Sequence, residues 1–136
     1  MIENITITLP PLPRGVHLVT RQVLEQLPAL PSSGLLHLFL KHTSAGITLN
    51  ENADPTVRTD LNQYLNRLVP ENQAYFRHTT EGSDDMPAHI KSSLIGFTIT
   101  IPIVKGQLAL GTWQGIYLCE FRDYGGSRAL VATIIS

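Results

Sequence analysis

Gln114 to Phe121, Gln-Gly-Ile-Tyr-Leu-Cys-Glu-Phe, is an almost unbroken apolar run with a single carboxylate inside it. Bounded by Gly111-Thr112-Trp113 before it and Tyr124-Gly125-Gly126 after it, the run reads as a buried strand. Ile116, Leu118 and Glu120 then share one face, and Tyr117, Cys119 and Phe121 share the other. Gly106, Gly111 and Gly115 fall in the same stretch as the only Trp, and their backbone entropy must be offset by packing or by use. Glu120 is desolvated on such a face unless it is paired. A carboxylate in that setting has either a raised pKa or a cation beside it, and Arg122 and Arg128 are the candidate partners. A reactive group and a structural ion pair are both open on this pattern.

The rest of the chain is also rich in short strands. Residues 4–9 alternate apolar and polar, as do Phe97, Ile99, Ile101 and Ile103 with Thr98, Thr100 and Pro102. Further strands are expected around 16–19, 35–41, 47–49, 107–110, 114–123 and 128–135. Thr20 is placed to cap a short helix over 21–27, which stops before Pro28. Asp54 followed by Pro55 starts a second helix, and Val57, Leu61, Leu65 and Leu68 recur at helical spacing to about Val69. Asp85 is placed to cap a third, Met86 to Leu94, closed by Gly96. Strands without regular strand–helix alternation imply an α+β, mostly antiparallel domain: a β-sandwich or open barrel with two or three flanking short helices.

With 136 residues, 43% of them hydrophobic, the chain suits one domain, residues 1–136, around a single core. Ten Lys and Arg against 11 Asp and Glu, with no basic cluster, leave no electrostatic case for a nucleic-acid partner. No apolar run reaches the roughly 20 residues needed to span a bilayer, so no membrane partner is expected. Met1 to Thr6 does not read as a secretory leader, and the single Cys fits a reducing compartment, so a cytoplasmic location is expected.

Five histidines divide into two groups. His17 and His37 sit inside apolar strand patterns and read as half-buried rings. His42 stands where a strand gives way to Thr43-Ser44-Ala45-Gly46, His78 opens a polar loop over 71–85, and His89 lies early in the third helix. A helix N-terminus disfavours imidazolium and keeps a neutral lone pair on His89. Three imidazoles with an open fourth position form a catalytic zinc arrangement, although these spacings match no local zinc motif and only the fold can gather them. Glu81, Asp84 and Asp85 offer a metal ligand, a general base or partners for the imidazoles, and Asp85 reads mainly as a cap. Cys119 has no base nearby and reads as a buried structural thiol. No phosphate-binding loop or dinucleotide fingerprint is present, so an anionic substrate would rely on scattered cations such as Lys91, Lys105, Arg58 and Arg128.

His42-Thr43-Ser44-Ala45-Gly46, Leu49 to Arg58, Gly82 to Gly96 and Gly111-Thr112-Trp113-Gln114-Gly115-Ile116 together resemble the YjbQ-like family over nearly the whole chain. The resemblance implies a sandwich-like fold assembled as a homotrimer, and secondary thiamine-phosphate synthase activity. That reaction condenses hydroxymethylpyrimidine diphosphate with thiazole phosphate and releases pyrophosphate. It also implies a clustered site in which His42, His78 and His89 hold a divalent metal, zinc first and magnesium as the alternative for a diphosphate. Glu120 or Glu81 would serve as general acid/base. Lys91, Arg128, Asn50 and Gln114 would bind a small phosphorylated substrate. A non-catalytic metal- or ligand-binding module, or a metal-assisted hydrolase or lyase, fits the same residues.

Overall fold

The computed structural model describes residues 1–136. Its strands are β1 (Ile2–Leu9), β2 (Gly15–Leu18), β3 (Ser33–Leu40), β4 (Ala45–Glu51), β5 (Thr98–Val104), β6 (Gln107–Leu108), β7 (Gln114–Glu120) and β8 (Arg128–Ile135). The helices are α1 (Thr20–Glu25), α2 (Pro55–Leu68) and α3 (Asp85–Ile95). All pairings are antiparallel, in a five-stranded sheet of order β1-β8-β3-β5-β6 and a three-stranded sheet of order β2-β7-β4. The α+β, antiparallel architecture with short flanking helices is the one expected.

The two faces of β7 explain the layering. Ile116 and Leu118 join Ile47 of β4, Leu36, Leu38 and Leu40 of β3 and Leu130 and Ala132 of β8 in the core between the sheets. Tyr117, Cys119 and Phe121 point the other way and form a second cluster with Leu65 of α2 and Ala88 of α3. The chain therefore stacks large sheet, small sheet and helices, with β7 buried on both sides. Each fully buried Leu or Ile in these layers contributes about 1.5–3 kcal/mol.

Local signals set most boundaries. The Asp54 side chain accepts the Thr56 N–H at 2.9 Å and Pro55 opens α2. Gly96, at φ +98°, ends α3 in a conformation that disfavours side chains. Thr20 differs from its expected capping role: its hydroxyl accepts the Ile116 N–H of β7 at 2.8 Å and ties α1 to the small sheet. The strand expected to reach Asp123 stops at Glu120, because the next residues turn so that Arg122 can fold onto α3. The polar loop between α2 and α3 is anchored where Ser83 donates to Glu71 at 2.9 Å.

Burial pushes the Cys119 thiol up from 9.0 to about 12. Such a thiol stays protonated in the folded protein, and the stability tied to its neutral form is lost only as pH rises from 9.0 toward 12. A disulfide-type thiol reagent at pH 8 is expected to leave native protein unmodified and to label one thiol per chain in denaturant. Rapid labelling of the native protein would show that the layer between the small sheet and the helices opens.

Candidate functional site

Asp85 and His89 are four residues apart on α3, so they stand on one face of the helix. His78 reaches the same point from the loop before α3. Its Nε2 lies 2.6 Å from Asp85 Oδ2, and His89 Nε2 lies 3.2 Å from the same oxygen. One ligand atom from each of His78, Asp85 and His89 falls within 4.8 Å of the other two. The Asp85 side chain is only 2% exposed, whereas His78 and His89 are 44% and 30% exposed. A sealed carboxylate thus forms the floor of a site whose imidazoles meet solvent.

The orientation of each group is fixed from behind. His89 Nδ1 lies 2.8 Å from the Thr43 carbonyl, which can only accept, so Nδ1 carries the proton. In the neutral ring, Nε2 then presents its lone pair toward the Asp85 oxygen, an arrangement that needs a proton or a cation between the two atoms. Donation of the second ring N–H to a backbone carbonyl is the usual support of a metal-bound histidine. The other Asp85 oxygen accepts from Arg122 Nη1 at 2.7 Å, while Arg122 Nε donates to Asp84 at 3.0 Å and Nη2 to the Glu81 carbonyl at 2.8 Å. Burial opposes ionisation of Asp85, but the hydrogen bond from His78 and the proximity of His89 and Arg122 outweigh it and hold the carboxyl below the usual aspartate range. The donor set, two imidazoles and an ionised carboxylate with open positions, fits a divalent transition metal.

The expected site residues separate into those the fold gathers and those it does not. His78 and His89 are gathered. Glu81 is at the rim, its carboxylate 3.8 Å from His78 Nε2. Asp85 completes the cluster in the place expected of His42, and its i, i+4 spacing to His89 is the available signal. His42 Nε2 instead accepts the Ala129 N–H at 2.8 Å, so that nitrogen is occupied by backbone.

Glu120 and Arg128 find each other. Arg128 Nε donates to Glu120 Oε1 at 2.7 Å, and the two side chains are 0% and 4% exposed. Sealed in this way, they form a structural ion pair and present neither an accessible base nor an accessible anion site. Lys91 lies on the inward face of α3, donates to Asn66 Oδ1 and packs over the Phe121 ring, so it too is withdrawn from solvent. Asn50 accepts from the Glu51 N–H, and Gln114 from the Gly111 N–H, each at 2.8 Å. Gln114 and Glu120 stand at opposite ends of β7, six residues or roughly 20 Å apart, so Gln114 and its neighbour Asn50 lie far from the imidazoles.

A family model described as "UPF0047 protein YjbQ-like" matches residues 5–136. The chain belongs to the YjbQ-like UPF0047 family. The UPF0047 protein YjbQ of Salmonella typhimurium is 53% identical over 131 residues, covering 95% of this chain and 94% of the relative. A UPF0047 protein of Synechocystis is 49% identical over 102 residues, covering 75% and 69%. The crystal structure of a conserved hypothetical protein from Thermus thermophilus superposes with a TM-score of 0.82 at 36% identity, covering 97% of this chain and 99% of that one. The names of these relatives state no activity, and no helix of this YjbQ-like chain is long and apolar enough to cross a membrane.

The Glu120–Arg128 geometry makes a sharp prediction. Glu120→Gln leaves Arg128 buried without a counter-charge and is expected to lower unfolding free energy in urea by about 3–5 kcal/mol. Pairing Glu120→Leu with Arg128→Met is expected to recover most of that loss. A Glu120→Gln protein with wild-type stability would contradict the structural role.

Proposed function

We propose that this YjbQ-like chain is a metal-dependent enzyme whose centre is His78, Asp85 and His89. The observation that carries the reading is the Thr43 carbonyl 2.8 Å from His89 Nδ1: it can only accept, so it commits Nδ1–H and aims the Nε2 lone pair at the oxygen already facing His78. Imidazole donors favour zinc over magnesium. Zinc bound there supplies Lewis acidity toward a phosphoryl oxygen or lowers the pKa of bound water.

The chain's own residues do the rest. Arg122 fixes the Asp85 carboxylate through its second oxygen and holds the loop at Glu81 and Asp84. Glu81, with an exposed carboxylate beside His78, is the group placed to take or give a proton. Since Lys91 and Arg128 are buried and Arg122 is engaged, these three cations are not free to balance substrate phosphates, and a bound metal would supply counter-charge. The reaction we assign is the one the family resemblance implies, condensation of hydroxymethylpyrimidine diphosphate with thiazole phosphate to give thiamine phosphate and pyrophosphate. We also assign a cytoplasmic homotrimer. Ile2, Ile135 and Leu35, which stand side by side across three strands and are all exposed, supply an apolar surface for such an assembly.

Elemental analysis of tag-free protein is expected to find about one zinc per chain, lost in His78→Ala, Asp85→Asn and His89→Ala and retained in His42→Ala. Absence of metal from the wild type after zinc is added back would remove the reading. In a pyrophosphate-release assay with the two thiamine precursors, Glu81→Gln is expected to lower the rate by roughly 10²-fold or more at unchanged zinc content. Zinc-loaded wild type that releases no pyrophosphate would leave a metal-binding module in place of the synthase.

A further inference from the structure

His42 is the histidine that the metal centre leaves out, and its environment gives it a different task. Because Nε2 accepts the Ala129 N–H, the neutral ring carries its proton on Nδ1. Nδ1 has no hydrogen-bond partner within the chain, so His42 presents a fixed donor. Burial and the neighbouring Arg128 charge keep the ring neutral, lowering its pKa below the usual histidine value.

That donor lines a cleft next to the metal centre. His42, Thr43, His89, Ser92 and Phe97 wall a cavity of about 260 Å³. A second cavity of about 440 Å³ shares His42, Thr43 and Phe97 with it and extends along Phe39 and Lys41. A volume of that size is typical of small-molecule sites. Phe39 and Phe97 meet edge to face with centroids 5.6 Å apart, and 41% and 51% of their surfaces remain exposed. An accessible aromatic pair of this kind offers a ring its favoured offset or edge contact. Lys41 is held at the same rim by its backbone, whose N–H donates to the Ala129 carbonyl at 3.1 Å. The cleft therefore combines an aromatic wall, one fixed neutral donor and one cation, with His89 at its far end.

We propose that this cleft is the subsite for the organic part of the substrate, a planar aromatic or heteroaromatic anion. The ring packs on Phe39 and Phe97, a ring or substituent acceptor takes the His42 Nδ1–H, and Lys41 balances the negative charge. His42 is thus a binding residue beside the metal centre. The assignment deepens the metal-centre reading and rests on it only for the reaction at the His89 end.

The test is a titration of zinc-loaded protein with phenyl phosphate, followed by backbone amide shifts, with cyclohexyl phosphate and inorganic phosphate as controls. Phenyl phosphate is expected to shift residues 39–43 and 97 saturably and to bind more tightly than either control. His42→Ala and Phe97→Ala are each expected to weaken it about tenfold while retaining zinc. Phe97 is half exposed, so its variant tests the subsite even if His42→Ala disturbs the 41–44 turn. Equal affinities for the three phosphates, or unchanged affinity in both variants, would overturn the subsite. Ring-dependent binding in a protein that holds no zinc would support the subsite and sink the metal centre; zinc without ring-dependent binding would do the reverse.

Discussion

The ion pair between Glu120 and Arg128 is the constraint on which the site depends. Two charges withdrawn this far from water need full hydrogen-bond satisfaction, and the way they obtain it organises the surrounding chain. Arg128 Nη2 donates to the Ser44 carbonyl at 3.2 Å and hydroxyl at 3.0 Å, which fixes the turn after β3. The next residue back, Thr43, offers the carbonyl that sets the His89 tautomer. On the other side, Glu120 Oε2 accepts the Arg122 N–H at 3.1 Å, and the Arg122 side chain in turn holds Asp85. One buried carboxylate thus reaches Asp85 through Arg122 and His89 through Arg128, Ser44 and Thr43. Gly125 belongs to the same arrangement, because a Cβ there would lie 2.6 Å from Arg128 Nη2 and closer still to Glu120.

This explains what could be read from the chain and what could not. Period-two strands, the Asp54-Pro55 start of α2 and the Gly96 stop of α3 are local signals, and the elements they predict are present. Glu120 was conspicuous for the same reason, a charge in an apolar run. Its partner was not readable, since Arg122 and Arg128 are both near in sequence. The fold uses both, the guanidinium of Arg128 and the backbone N–H of Arg122. His42 and Asp85 exchanged roles for a tertiary reason. The Ala129 N–H that occupies His42 Nε2 comes from a strand 87 residues away, and Arg122, which draws Asp85 inward and away from capping, lies 37 residues on. Asn50 and Gln114, like His42 and His89, fall in the blocks that carry the family resemblance, yet strand length alone carries them to the far end of the small sheet.

The engagement of Asp85 with Arg122 also bears on which ion the proposed centre would select. Arg122 cancels much of the negative charge that Asp85 would bring to a cation, while Glu81 stands at the rim with its carboxylate mostly in solvent. Hard cations such as magnesium and calcium are held chiefly by oxygen ligands and carboxylate charge, and this floor provides little of either. Two imidazoles do not share that weakness, because their affinity for borderline metals rests on the nitrogen lone pair and survives a nearby guanidinium. At the proposed centre, the same arginine that makes the carboxylate rigid would therefore shift the balance toward zinc-like ions. Replacing Arg122 by a neutral residue would return charge to Asp85 but release it from its fixed position, so rigidity and charge at this centre are set against each other by a single side chain.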